Sequence, residues 1–175
     1  MEKYLIKGLH PMEFSQYLDT LESKLFGSFD LKRNYLLDNY NFDLFAEYHI
    51  RNEKYVLMKK ATVYAIENNE YCFVKYFNKI DKFQFQEFTD TLIKSIDNVV
   101  QPSEEHMSSI ITGVIVLPDK PNIDIIDTIK KFKYHKGFAF GFKGWADIRI
   151  LLVTMNDHYI VTNKKGKEVS EVYSI

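Results

Sequence analysis

Apolar side chains recur every three to four residues in several stretches of the chain, which is the spacing of a helix that buries one face. The first stretch predicts a helix from Pro11 to Phe26, ended by Gly27 in the usual position of a C-terminal cap. The second predicts a helix from Asp81 to Val100, and a shorter one is expected from Asn122 to Phe132. Both of these later helices begin at a residue that can cap an N-terminus through its side-chain oxygen.

Alternating apolar and polar residues predict strands between the first two helices. We expect a three-stranded antiparallel meander, formed by Phe42–Arg51, Lys54–Glu67 and Glu70–Phe77. Asn68-Asn69 suits a two-residue turn because asparagine tolerates a positive φ, and Asn52-Glu53 is a weaker candidate for the other turn. This register puts Phe42, Leu44, Ala46, Cys72 and Val74 on one apolar face, where the Cys72 thiol is expected to be buried.

The rest of the chain alternates in the same way and predicts further strands, at residues 110–117, 133–142, 145–155 and 159–163 and in the tail at 169–173. The fold class that follows is α+β. We expect a mostly antiparallel sheet, made of the three-stranded meander plus C-terminal hairpins, with two or three helices covering one side. A single domain over residues 1–175 is expected, and the linker-like segment Gln101–His106 is where a subdomain boundary would fall.

Composition narrows the function classes. The chain has 23 basic and 24 acidic residues, so its net charge of −1 does not create the positive field typical of nucleic-acid-binding domains. One cysteine excludes an internal disulfide and paired-cysteine zinc motifs. The histidines show no metal-ligand spacing, and no metal or cofactor is expected. No apolar run is long enough for a signal peptide or a membrane span, which favours a cytoplasmic protein.

The segment Lys130–Arg149 combines six basic residues and one acidic residue with six aromatic residues. It is the surface from which we expect binding, and the candidate binding residues are Lys136, Lys143, Trp145 and Arg149. Phe138, Phe140 and Phe142 alternate with glycine and alanine, so they are expected to point mainly into the core.

The residues Lys136–Phe140 resemble the start of the RNP1 signature of the RNA-recognition motif family. That resemblance implies weak RNA binding through exposed aromatic side chains, as one alternative function. Gly141 and Lys143 depart from the signature, and the order of predicted elements differs from that of the family. Nucleic acid is therefore not the expected partner.

The polar face of the meander carries the only candidate catalytic residues, Asp43, Glu47, Lys60 and Lys75. Acids and lysines on strands, together with the order of helix, three strands, helix and strand, resemble the PD-(D/E)xK nuclease fold. That resemblance implies a metal-dependent nuclease or another phosphotransfer enzyme as a second alternative. The acid-x-lysine triplet of the family is absent from the body of the middle strand. Cross-strand ion pairs on a half-exposed sheet explain the same residues without catalysis.

Two stretches, residues 42–77 and 141–169, resemble an uncharacterised family of small prokaryotic proteins of unknown function. The resemblance covers most of the chain and implies no activity or site residues. The interpretation that remains is a non-enzymatic domain that binds a ligand or a partner. A protein partner or a homodimer is expected, and a membrane is not. We expect the tail, residues 168–175, to form a strand that either pairs within the sheet or completes a two-fold dimer through its edge.

Overall fold

The structure is a computed structural model that describes residues 12–54 and 64–175, and the side chains of 51–54 and 64–66 fall outside the description. Its α-helices are α1 Phe14–Leu25, α2 Lys82–Val99, α3 Ile123–Lys131 and α4 Ser170–Tyr173. The first three correspond to the predicted helices. The N-caps of α2 and α3 are those that the sequence indicates, whereas α1 begins after Glu13, and Pro11 lies outside the described residues. Asp81 accepts a hydrogen bond from Gln84 N at 2.7 Å, and Asn122 accepts one from Ile125 N at 3.1 Å.

The strands are β1 Asp30–Leu37, β2 Tyr40–Lys54, β3 Tyr64–Tyr76, β4 His106–Leu117, β5 His135–Gly137, β6 Trp145–Thr154 and β7 Ile160–Thr162. Within the described residues they form one seven-stranded sheet in the order β1-β2-β3-β4-β6-β5, and β7 also pairs with β6. The α+β class is confirmed. The expected mostly antiparallel sheet is wrong, because β4 is parallel to both β3 and β6. Helices α2 and α3 provide the crossovers that parallel neighbours require.

The predicted meander is wrong in its turns. Asn69 lies opposite His49, and Asn68 lies opposite Ile50, so the proposed turn is the middle of β3. Both amide side chains are satisfied there, since Asn69 Oδ1 accepts from His49 Nδ1 at 2.8 Å and Asn68 Oδ1 accepts from Ser108 Oγ at 2.7 Å. Asn52-Glu53 lies within β2. Most of the predicted middle strand falls on 55–63, outside the described residues.

Helices cover both faces of the sheet rather than one. On one face α1 and α4 pack against residues that include Leu44, Cys72, Val114 and Leu151. On the other face α2 and α3 pack against residues that include Phe73, Ile111, Ile115 and Ile150. Burial of Cys72 is confirmed. The sheet is a middle layer, as expected for strands with parallel neighbours on both sides.

Phe42 does not share a face with Leu44. Its ring packs 4.9 Å from Phe73 and 6.1 Å from Phe88, on the α2 side. The cause is an irregularity at Asp43, whose Oδ2 accepts the backbone N–H of Tyr76 at 2.7 Å. In a regular ladder a backbone carbonyl group would accept this hydrogen bond, but here the Asp43 side chain accepts it instead.

The C-terminal segment is helical, so the strand expected at residues 168–175 is wrong. Residues Lys165–Val169 form a 3₁₀-helix that leads into α4. The tail is fixed to α1, because Tyr17 Oη donates to Tyr173 O at 3.0 Å and Lys24 Nζ donates to Ser174 O at 2.9 Å. Both bonds use backbone carbonyl groups that a new strand would need for pairing.

Candidate binding site

The connection between β5 and β6 forms a tight turn. Together with the first residue of β6 it spans residues 138–145, which we call the aromatic turn. The predicted strand 133–142 ends at Gly137, because Ala139 and Phe140 adopt φ values of 47° and 56°. Such left-handed conformations are uncommon for residues other than glycine, and strained residues of this kind tend to cluster at functional sites. Backbone hydrogen bonds close the turn, including Phe138 N to Gly144 O at 2.9 Å and Lys143 N to Phe138 O at 3.1 Å.

A buried histidine supports the aromatic turn from the side of the core. Since a carbonyl oxygen can only accept, His106 Nδ1 donates to Lys143 O at 2.8 Å. The His106 ring also meets the Phe138 ring edge-on, with centroids 5.8 Å apart. Gly144 allows this approach, because a Cβ there would lie 2.5 Å from His106 Nδ1. The turn is therefore held in one conformation by groups that the solvent does not reach.

The aromatic turn exposes its rings. Phe140 is 103% exposed and Phe142 is 86% exposed, while Phe138 is half-buried. The expectation that all three rings point into the core is wrong for Phe140 and Phe142. Alternation with glycine and alanine is also compatible with a turn, because those small residues supply positive φ and close backbone approach.

The four predicted binding residues lie in different environments. Lys143 is exposed on the aromatic turn, and Trp145 is partly exposed where the turn enters β6. Lys136 Nζ forms an ion pair with Asp97 Oδ1 at 2.6 Å. Arg149 is buried. Its guanidinium contacts Glu70 at 3.2 Å and Glu168 at 3.0 Å, so it is no part of the surface that was expected to bind.

A cleft opens on the outer edge of β6, where β5 and β7 diverge. β5 pairs with residues 145–147 of β6 and β7 with 151–153, which leaves the edge between them without a strand partner. The Asn163 side chain fills the gap, since Oδ1 accepts from Ile150 N at 3.1 Å and Nδ2 donates to Ile148 O at 3.1 Å. The resulting split-edge cleft has a volume of about 420 Å³, and its apolar walls are Phe132, Tyr134 and Ile148.

A buried carboxylate lies at the wall of the split-edge cleft. Asp147 Oδ1 contacts His135 Nδ1 at 2.8 Å, and Asp147 Oδ2 contacts Lys165 Nζ at 3.2 Å. No sequence pattern indicates these three residues as members of a site. The available signal is the hairpin register, which places His135 opposite Asp147 once the turn between the strands is located correctly.

Three of the four catalytic candidates, Asp43, Glu47 and Lys75, each contact a different partner. Asp43 accepts the Tyr76 amide, and Lys75 Nζ donates to Asn41 O at 2.7 Å. Glu47 contacts Lys32 at 3.3 Å, in a separate cleft of about 580 Å³ beside the C-terminal end of α2. Lys60 lies outside the described residues. Among the residues that are described, no group of three or more His, Cys, Asp or Glu side chains is placed to hold a metal ion.

Two further groups have altered proton affinities because of burial. Desolvation raises the pKa of the Cys72 thiol to about 12, so the thiol is not a nucleophile at neutral pH. Desolvation, followed by the charges of Glu47 and Glu67, raises the pKa of Tyr71 to about 12. Its hydroxyl donates to Val99 O at 2.8 Å and thereby ties β3 to the end of α2.

A family model described as a domain of unknown function, DUF8052, matches residues 13–175 of the chain. No curated protein matches the sequence, and no solved structure matches it. No helix in the described part of the chain is long and apolar enough to cross a membrane.

Proposed function

Because the chain belongs to the DUF8052 family, whose function is unknown, we propose a function from the geometry: a non-enzymatic domain that binds another protein through the aromatic turn. The observation that carries the proposal is the exposure of Phe140 and Phe142 on a backbone that is rigidly held. Because the backbone of the turn is already ordered, only side-chain rotamers lose freedom on binding, and large aromatic residues dominate the energetics of protein interfaces.

The surroundings of the turn favour a protein over a nucleic acid. Lys143 is the only cation in residues 138–145, and the nearest lysine before them, Lys136, is paired with Asp97. Lys136 Nζ lies 5.6 Å from the centroid of the Phe138 ring, so its partner Asp97 brings a carboxylate close to the turn. An apolar centre with charges of both signs around it is typical of a protein interface. A surface that follows a phosphate backbone needs an excess of cations.

Photo-crosslinking from the turn tests this proposal. We would replace Phe140 with p-benzoylphenylalanine and irradiate cells that produce the protein naturally. The matched controls carry the same group at Phe26 or Phe83, which are 82% and 75% exposed at other places on the surface. We expect a discrete protein adduct from position 140, absent from the controls and lost when Phe142→Ala is added.

The outcomes separate the alternatives. An adduct of twice the mass of the chain identifies the partner as a second copy. An adduct that ribonuclease removes would contradict the proposal in favour of RNA. The same adducts from position 140 and from the two controls would contradict any specific role for the aromatic turn.

A further inference from the structure

The split-edge cleft is a second site, separate in its chemistry from the aromatic turn, and we infer that it binds a small organic anion with a flat apolar body. Its volume of about 420 Å³ lies within the range of roughly 300 to 1,000 Å³ that is usual for small-molecule sites. The walls are formed by Phe132, Tyr134 and Ile148, which offer aromatic and aliphatic surface to such a body.

The cleft is shaped before any ligand arrives. The buried Asn163 accepts from Gly166 N at 2.9 Å and donates to Phe132 O at 3.3 Å, so it joins the two sides of the cleft. Gly166 is buried, and a Cβ there would lie 2.9 Å from Ile150 O, so the 3₁₀-helix packs directly on β6. A cleft fixed in this way loses little conformational entropy when a ligand enters it.

The charges around the cleft select an anion. One oxygen of Asp147 contacts His135 and the other forms an ion pair with Lys165. Glu168 forms an ion pair with Arg149. Lys133 and Lys164 also line the cleft, and neither has an ion-pair partner within the part of the chain that the structure describes. Arg149 also pairs with Glu70, so four cations at the rim face three carboxylates, which leaves an excess of one positive charge. A carboxylate, sulfonate or phosphate group on the ligand would supply the missing partner.

The probe that combines these properties is 8-anilinonaphthalene-1-sulfonate, whose fluorescence rises on binding to apolar surface. N-phenyl-1-naphthylamine has the same apolar body without the sulfonate, so comparing the two isolates the contribution of the anion. The test variant is Lys133→Ala/Lys164→Ala. The matched control is Lys130→Ala/Lys167→Ala, which removes two exposed lysines from the same parts of the chain but none that lines the cleft.

We expect one saturable site for the sulfonate on the wild-type protein. Its dissociation constant should rise about tenfold in the test variant, because two partly exposed charge contacts are lost, and stay unchanged in the control. The uncharged probe should bind at least about tenfold more weakly than the sulfonate to the wild-type protein. In the variant Phe140→Ala/Phe142→Ala the sulfonate should bind as it does to the wild type, which separates this site from the aromatic turn.

Three results would overturn the inference. Equal binding of the two probes would show an apolar site without anion selectivity. An equal loss of affinity in the test variant and in the control would show a general effect of net charge. Loss of the sulfonate site in Phe140→Ala/Phe142→Ala would place the probe on the aromatic turn. Circular dichroism of all variants confirms that each remains folded.

Discussion

At the scale of single residues, Asn163 joins several parts of the structure, and nothing in the neighbouring sequence indicates this role. It is 1% exposed, and its side chain satisfies two backbone amides and two carbonyl groups, of Ile150, Gly166, Phe132 and Ile148. A shorter apolar side chain would leave those groups buried without partners. The cost of each unsatisfied group is larger than the net gain from an ordinary exposed hydrogen bond.

We expect Asn163→Ala to lower the free energy of unfolding by about 2 to 4 kcal/mol, measured by chemical denaturation. The control is Asn156→Ala, since Asn156 is exposed and its side chain makes one hydrogen bond, to Asp119. That variant should stay within about 0.5 kcal/mol of the wild type. Equal stability of the two variants would show that the Asn163 contacts contribute nothing beyond those of an exposed amide.

Cys72 leads to a prediction about reactivity. With the pKa of the thiol raised to about 12 by burial, only about one thiol in ten thousand is ionised at pH 8. We expect 5,5′-dithiobis(2-nitrobenzoic acid) to leave the native protein unmodified over the time in which it fully labels the protein in denaturant. Labelling of the native protein at the rate of free cysteine would contradict the burial of this residue.

At the scale of elements, the helices were predictable because their signals are local. Apolar spacing, Asp81 and Asn122 all act within a few residues of the helix that they define. The strand pairings were not predictable. β3 and β4 are separated along the chain by α2, and nothing in the sequence of either strand indicates which strand it pairs with. The edge strand β1 lacks clean alternation of apolar and polar residues, so the pattern predicts no strand at Asp30–Leu37.

The same limit applied to the candidate site. Lys143 and Trp145 were found because an unusual composition marks the segment that contains them. The pair of His135 with Asp147 depends on the register of a hairpin, and the position of Glu168 depends on a 3₁₀-helix where the tail strand was expected to begin. The hairpin register and the position of Glu168 both depend on packing against β6, and no local sequence pattern indicates that packing.

Helix α4 leads to a prediction at this scale. Tyr173 is the one buried residue of this short helix, while Val172 on the same turn is exposed. We expect Tyr173→Ala to lower the free energy of unfolding by about 2 to 4 kcal/mol, and Val172→Ala to lower it by much less. Thermal and urea unfolding measure both. Equal effects would mean that α4 is not docked through its buried face.

At the scale of the whole molecule, the sheet is most protected at its centre. β4 has a parallel neighbour on each side and helices on both faces, and Ile111, Val114 and Ile115 are fully buried. β1 has one neighbour among the described strands, and most of its residues are exposed or half-buried. Amide groups in such different surroundings open with different free energies.

We expect native-state hydrogen exchange to be slowest in β4 and β6, where it should report global unfolding. Amides of β1 should exchange much faster, because local separation of β1 from β2 exposes them without unfolding the core. Mass spectrometry of peptides from the two regions measures the difference. Exchange from β1 as slow as from β4 would show that the sheet opens only as a unit.

The irregular, charged edge of strand β1 affects how readily molecules of this protein associate with one another. A net charge of −1 provides little mutual repulsion between molecules, and an exposed strand can act as a template for intermolecular cross-β growth. β1 presents Lys32 and Arg33 in succession, and Arg33 is held by Glu22 and Asp19 of α1. Asn34 then adopts a φ of 50° and is skipped in the pairing with β2. An incoming strand would meet adjacent charges and a break in the ladder, so we expect the local structure of this edge, rather than overall charge, to oppose aggregation.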